Sequence, residues 1–392
     1  MRIGIFTDTF TPTRDGVVTS ILNYKAELEK HGHEIIVFCP EVKDFKDRDK
    51  NEIRFFNVRF PNYKEYSIVF PFAKKFKLAQ IKDLKLDIIH IQSFFGMGIL
   101  GAYLSKKYNI PAIYTYHTFY DLYLHYLPGK PILYRKLIKL YTKRYCNKFS
   151  LIIAPSKIIK NYLLEYGVKT KIEVLPSGLK INELKVTDKS IREKWGIPSN
   201  NLLFCSAGRL GKEKSFDLLI KSLAIFKKKE PNFRLLLMGD GPEKKALLKL
   251  SKKLDLEKNI IFAGYVSHQS VLNVMAASDL FLFTSHSETQ GLVVIEAFAM
   301  GTPVVAVNAL GVGEILEETK AGVLTKVCPE DFAAKTWQII SNQKLLKEKS
   351  VLAKQKAQSY TIEYLTQKLI SHYQYSISTF LSSDKPKTNK LQ

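Results

Sequence analysis

Short β-rich runs alternate with helix-period runs along most of this chain, and that rhythm excludes most architectures before any single residue is considered. In the first half the runs are Arg2–Phe6, Val17–Lys30, Glu34–Cys39, Ile53–Val58, Ala73–Leu84, Asp87–Ile91, Met97–Lys107 and Ala112–Tyr116. Strands alternating with helices of about ten to fifteen residues form βαβ units around a parallel sheet. Leu151–Pro155 and Ile172–Leu175 add two strands, and Pro176-Ser177-Gly178-Leu179 then interrupts the periodicity with turn formers. The rhythm restarts at Leu202–Ala207, and from Asp331 to Leu381 the pattern is helical. The expected class is α/β, with two Rossmann-like βαβ domains at 1–178 and 179–360 and a terminal segment at 361–392. With 392 residues, 46% apolar and 25% charged, the chain has material for two ordinary cores.

In parallel sheets of this kind ligands bind beyond the C-terminal ends of the strands, so functional candidates are sought in the loops that follow them. After the first strand a polar loop runs from Thr7 to Gly16, where a glycine at a helix start lets the backbone approach a ligand. One such glycine is also what an ordinary turn requires. His117 follows the strand Ala112–Tyr116, and His90 ends Asp87–Ile91, where it reads as flanking structure. In the second half, Gly208-Arg209-Leu210-Gly211-Lys212-Glu213-Lys214-Ser215 links a strand to a helix from Phe216, so Arg209 and Lys214 form either a cationic clamp for a diphosphate or solvated loop charge. Gly239, in Gly239-Asp240-Gly241-Pro242, and the backbone amides at Tyr265 and Val266 follow the next two strands and can approach a nucleotide.

The richest stretch is Thr284 to Pro303, after the strand Leu280–Phe283. Gly291 permits a tight turn, Leu292 to Met300 reads as a helix, and Glu288 and Glu296 bracket the turn with seven residues between them. The unpaired amides and positive potential of a helix start suit the backbone at Gly291 and Leu292 to a phosphate. Glu296 lies in an otherwise apolar run and needs a partner if it is buried. Asp47-Arg48-Asp49 matches a metal-binding Asp-x-Asp in form, but it stands in a charge run with no strand before it and reads as a solvated loop.

The Glu288-x7-Glu296 pair followed by Gly301-Thr302-Pro303-Val304-Val305, together with Arg209-x4-Lys214, resembles the retaining GT-B glycosyltransferases of family 4 type. T-D-T-F-T-P-T-R-D-G-V-V-T-S-I, I-Q-S-F-F-G-M-G-I-L-G and Y-T-Y-H-T-F-Y-D-L-Y-L-H-Y in the first half are similar to diacylglycerol glycosyltransferases within it. The resemblance implies two domains facing a central cleft, an acceptor and membrane domain first, a nucleotide-sugar domain second, and a last helix crossing back onto the first. It implies a hexose donated by UDP-glucose or UDP-galactose to 1,2-diacylglycerol, with retention and without a metal or cofactor. Gly16, Arg209, Lys214, Gly239, Val266, Glu288, Gly291, Leu292 and Glu296 would hold the donor, His117 and Glu288 the transferred sugar, and Glu296 the ribose. Asp15 stands where many members have a second glycine. A saccharide acceptor such as lipopolysaccharide would use the same machinery, and a sugar-nucleotide 2-epimerase would bind the same donor.

The net charge of +23 calls for a polyanionic partner or reflects general lysine usage. Residues 101–150 hold nine Lys or Arg against one acidic residue, Asp121, and no nucleic-acid motif accompanies them. Projected as a helix, Pro131 to Phe149 gathers Leu133, Tyr134, Leu137, Ile138, Leu140, Tyr141 and Tyr145 on one broad face. Arg135, Lys136, Lys139 and Lys143 lie opposite, with Arg144 and Lys148 towards the apolar side. Periodicity alone is equally consistent with packing on the sheet and with docking on an anionic membrane. The concentrated charge, a run of apolar residues everywhere too short to span a bilayer, and an acceptor held in lipid favour the membrane. Four widely spaced cysteines without paired spacing, and a start too short for a signal peptide, place the expected chain in the cytoplasm, peripheral on the inner membrane face.

Overall fold

The computed structural model describes residues 1–13, 15–42, 45, 49–60, 63–70, 81–119, 121 and 131–383. In chain order the strands of the first half are β1 (Arg2–Phe6), β2 (Glu34–Pro40), β3 (Glu52–Phe55), β4 (Asn57–Phe60), β5 (Tyr63–Val69), β6 (Ile88–Ile91), β7 (Ala112–Thr115), β8 (Leu151–Ala154) and β9 (Ile172–Val174). Its helices are α1 (Gly16–Lys30), α2 (Gly96–Tyr108), α3 (Pro131–Cys146) and α4 (Lys157–Glu165). The second half carries β10 (Leu202–Ala207), β11 (Phe233–Met238), β12 (Ile260–Gly264), β13 (Leu280–Phe283), β14 (Val304–Val307) and β15 (Gly322–Thr325). Among these run α5 (Ile191–Lys194), α6 (Phe216–Lys227), α7 (Lys244–Lys253), α8 (His268–Ala277), α9 (Leu292–Ala299) and α10 (Leu310–Glu317), and after them α11 (Pro329–Ile340), α12 (Gln343–Ala357) and α13 (Ile362–Ser383). The chain divides into two compact units, Met1–Gly178 with Ile362 onward, and Leu179–Thr361.

In the first unit the described residues form a sheet of order β3-β2-β1-β6-β7-β8-β9. Its pairings are parallel, with Ile3 beside both Ile35 and Ile88. Strands covered on both faces are mostly apolar, and every residue of β6, β7 and β8 is buried. Asp15 caps α1, its Oδ1 accepting the Val18 amide at 2.8 Å and its Oδ2 the Thr9 hydroxyl at 2.9 Å. The carboxylate at this place thus works as a helix cap. Ile362, Leu365, Leu369 and Tyr373 of α13 join Ile21, Tyr24 and Leu28 of α1 in one core, so the last helix belongs to the first unit.

One expectation needs correction here. The run Ile53–Val58 is not one strand: the chain leaves the sheet at Phe56, and β4 pairs antiparallel with β5 as a separate hairpin. Alternation along the run gives no sign of that break, because both pieces keep a period of two. The tail from Asp331 to Leu381 is helical, as its pattern implies. It is α11, α12 and α13, the last two separated by a 3-10 turn at Gln358–Tyr360. Residues 71–80, which hold most of the expected Ala73–Leu84 helix, lie outside the described residues.

The second unit has a sheet of order β12-β11-β10-β13-β14-β15, again parallel. The strand order reverses between β10 and β13. Neighbouring connections leave such a point in opposite directions, so a crevice opens there at the carboxyl ends of the strands.

Candidate active site

Two loops meet at that reversal. The one after β10 ends in a 3-10 turn at Lys212–Lys214, and Ser215, at φ 51°, turns the chain into α6. The one after β13 runs from Thr284 to Gly291 and opens α9. They are tied together by several contacts. The Lys214 ammonium forms an ion pair with Glu288, the Thr284 hydroxyl donates to the Lys214 carbonyl at 3.0 Å, and Ser215 Oγ meets His286 Nδ1 at 2.9 Å. Both charged side chains keep about a fifth of their surface open, 21% for Lys214 and 24% for Glu288. The pair is thus anchored from behind and reachable from in front. Arg209 stands half-buried at the beginning of the same β10 loop.

Gly291 has φ 86° and caps α9 without a side-chain bond. A Cβ there would lie 2.6 Å from a Val312 methyl, so both the left-handed backbone and the packing require glycine. Leu292, the first residue of α9, is half-buried, and α10 holds the loop from behind through the Gly311 amide, which donates to the Glu288 carbonyl at 3.1 Å. Gly239 has φ 135°, and a Cβ would fall 1.9 Å from the Gly208 carbonyl oxygen. That residue allows the β10 and β11 ends to touch. Val266 packs against the core at the end of β12, while the neighbouring Tyr265 is 73% exposed.

Glu296 is buried within α9, and its partner is His268, the first residue of α8, at 2.7 Å from Nε2 to Oε1. The hydrogen bond to Glu296 raises the His268 pKa above its ordinary value. Sequence reading required a partner for Glu296 but not this one, since the two residues stand on different helices. The apolar run around Glu296 was the only available signal.

In the first unit, Gly16 is the exposed first residue of α1. His117 follows β7, half-buried, with Nε2 at 2.5 Å from Gln92 Oε1, and burial lowers its pKa to about 4. His90 is fully interior, as flanking structure. Asp8, at the end of β1, was not foreseen. Its Oδ1 accepts the Met97 amide at 2.7 Å and so caps α2, whose Ncap residue Phe95 offers no side-chain bond. Burial raises its pKa to about 6. Asp49 pairs with Lys25 at 2.7 Å, which holds its carboxyl below the usual range, and Asp47 lies outside the described residues.

α3 departs from its projection. Thr142, Tyr145 and Cys146 are buried, whereas Leu137, Leu140 and Tyr141 are 55%, 45% and 38% exposed. The expected broad face is therefore split: its C-terminal part packs on the unit and its middle faces outward. The side chain of Leu133 lies outside the described residues. Arg135, Lys136, Lys139, Lys143 and Arg144 are all exposed. Arg135 also approaches Asp121 at 3.4 Å, and Lys139 lies 5.2 Å from the centre of the Tyr166 ring. None of the described helices is long and apolar enough to cross a membrane.

Solved structures share this fold. Sucrose-phosphate synthase from Thermosynechococcus elongatus superposes with a TM-score of 0.79 over 96% of this chain and 99% of its own, at 19% identity. Anabaena HepE, solved in complex with UDP and glucose, superposes with a TM-score of 0.77 over 96% and 100%, at 23% identity. The class is a glycosyltransferase of GT-B fold. Residues 14–183 match Glycosyltransferase Family 4, and residues 187–358 match Glycosyl transferases group 1. The α-monoglucosyldiacylglycerol synthase of Streptococcus pneumoniae is 32% identical over 332 residues, which span 83% of this chain and 75% of that one. The enzyme of the same name from Acholeplasma laidlawii is 33% identical over 319 residues, spanning 78% and 80%. This chain belongs to the family 4 glycosyltransferases.

Proposed function

We propose that the protein transfers a hexose, glucose or galactose, from a UDP-sugar to 1,2-diacylglycerol at a membrane surface, with retention of anomeric configuration. The observation that carries the transfer is the anchored Lys214–Glu288 pair at the strand-order reversal, beside the start of α9. A diphosphate laid on that helix start meets oriented amides and the Lys214 ammonium, with Arg209 on the same loop, while Glu288 accepts from a sugar hydroxyl. Glu296 takes the ribose hydroxyls, and His117 orients the transferred sugar. The departing diphosphate accepts the acceptor's proton in a front-face displacement, so catalysis rests on positioning and on charge stabilisation.

These cations take the part that a metal plays in other transferases, and turnover is expected to persist in chelator. Activity lost in EDTA and restored by Mn²⁺ or Mg²⁺ would contradict that. The acceptor class is supported by the two diacylglycerol relatives and by the outward-facing apolar and basic side chains of α3. The experiment is a panel of radiolabelled UDP-sugars with diacylglycerol vesicles, the lipid products resolved by thin layer. Label appearing in a monoglycosyl lipid supports the reading, and label transferred only to saccharide acceptors overturns it.

A further inference from the structure

Behind His117 runs a string of buried polar side chains that the proposed transfer leaves without a task. His117 Nε2 meets Gln92 Oε1 at 2.5 Å, and Gln92 Nε2 meets His90 Nε2 at 3.1 Å. His90 Nε2 also lies 2.7 Å from the Thr115 hydroxyl, and His90 Nδ1 lies 2.7 Å from the Tyr373 hydroxyl on α13. Gln92, His90, Thr115 and Tyr373 are all buried, so each bond replaces water that cannot reach them. The string starts at a half-buried histidine and ends in the packed interface between the sheet and α13.

Donor and acceptor roles follow from the amide. An amide oxygen only accepts and an amide nitrogen only donates. With the Gln92 amide in this orientation, His117 carries its proton on Nε2 and donates it to Gln92. His90 presents a lone pair at Nε2 to Gln92 and Thr115, which leaves its own proton on Nδ1 for the Tyr373 oxygen. The orientation of one side-chain amide thus fixes the tautomers of two histidines. Burial lowers the pKa of both, to about 3 for His90 and about 4 for His117, so both are neutral near pH 7.

We propose that Gln92 and His90 are positioning residues that hold His117 as the Nε2–H tautomer, so that its Nδ1 serves as acceptor for a hydroxyl of the transferred sugar. A cationic His117 would instead be drawn to the diphosphate. This rests on His117 contacting the donor sugar, as proposed above, and it adds which nitrogen does so and what decides it. Tyr373 closes the far end, so the packing of α13 and the tautomer at the strand end are one arrangement.

The test is ¹⁵N NMR of the full-length histidine-labelled protein at neutral pH, paired with steady-state kinetics. The wild type is expected to show His117 neutral and protonated at Nε2. Gln92→Leu is expected to give a mixture of both neutral forms, with kcat/KM for the UDP-sugar down about tenfold and the dissociation constant of UDP alone unchanged. Gln92→Glu, which keeps an acceptor facing His117, is expected to restore the Nε2–H form. Tyr373→Phe is expected to disturb the His90 signals before those of His117. A wild-type His117 protonated at Nδ1, or a Gln92→Leu protein with unchanged spectrum and kinetics, overturns the proposal. Full turnover in His117→Ala would overturn the role given to His117 whatever the tautomer. An absence of transfer from every UDP-sugar would count against the proposed function, while the spectrum would still report on the string.

Discussion

Glu296 is a carboxylate inside an apolar helix run, and it is tolerated because His268 reaches it from the next helix. That contact gives the protein a local pH dependence with a definite sign. Glu296 raises the His268 pKa above its unfolded value. The pair's contribution is therefore fully present below the unfolded histidine pKa, about 6.5, and is lost as pH rises through the raised folded value. The His268 side chain is 59% exposed, so solvent screening keeps the effect at or below about 1 kcal/mol. Thermal melts of wild type and His268→Gln should differ most just below about pH 6.5 and converge as pH rises through the raised histidine pKa. A gap that widens with pH would mean that Glu296 is not the partner that matters. The Lys214–Glu288 pair makes a second prediction at this scale. Lys214→Ala and Glu288→Ala should each lower kcat by about 10²–10³-fold, as removal of one charge-stabilising contact does in an active site. Because each deletion strips the other's partner, the double variant should fall well short of the product of the two losses. Full multiplicativity, or near-normal turnover with an unchanged melting curve, would show that the pair does not act as a unit.

At the scale of elements, the glycines separate into those that are packed and those that merely turn. Gly239 and Gly264 both have positive φ, 135° and 66°. A Cβ at Gly239 would lie 1.9 Å from the Gly208 carbonyl oxygen, while nothing lies within 4 Å of one at Gly264. Gly264→Ala should therefore cost about 1 kcal/mol, the conformational part alone. Gly239→Ala adds a clash between backbones and should cost clearly more, with the β10 and β11 ends forced apart and UDP binding weakened. Equal melting temperatures for the two variants would argue against that close approach. The same contrast explains what the sequence could and could not convey. Strand and helix runs were legible because parallel strands such as β6 to β8 are buried along their whole length and mostly apolar. The loops that follow them were legible from glycine and charge. Which side chain faces which was not: Lys214 and Glu288 are 74 residues apart, and His268 and Glu296 sit on separate helices. Local periodicity also missed the β3–β4 break, because both pieces keep the alternation of a strand.

At the scale of the whole molecule, the +23 charge and the surface of α3 lead to one prediction with two separable parts. Lys136, Lys139 and Lys143 are exposed beside the exposed Leu137, Leu140 and Tyr141, while Tyr145 and Cys146 bind the helix to its own unit. Each cation near an anionic surface contributes about 1 kcal/mol, and that part is screened over about 8–10 Å at ordinary salt. The apolar part does not depend on salt, and a leucine moved fully from water into an apolar medium contributes about 1.5–3 kcal/mol. Replacing the three lysines by serine should therefore abolish the preference for phosphatidylglycerol vesicles over neutral ones at low salt. It should leave the weak binding at high salt almost untouched. Replacing Leu137, Leu140 and Tyr141 by serine should do the reverse, lowering co-sedimentation at every salt concentration while the lipid preference remains. Tyr145 is the control, because its change should lower the melting temperature before it alters vesicle binding. Equal binding of the wild type to both lipid types, or loss of neither component in the two triple variants, would show that α3 is not the docking surface.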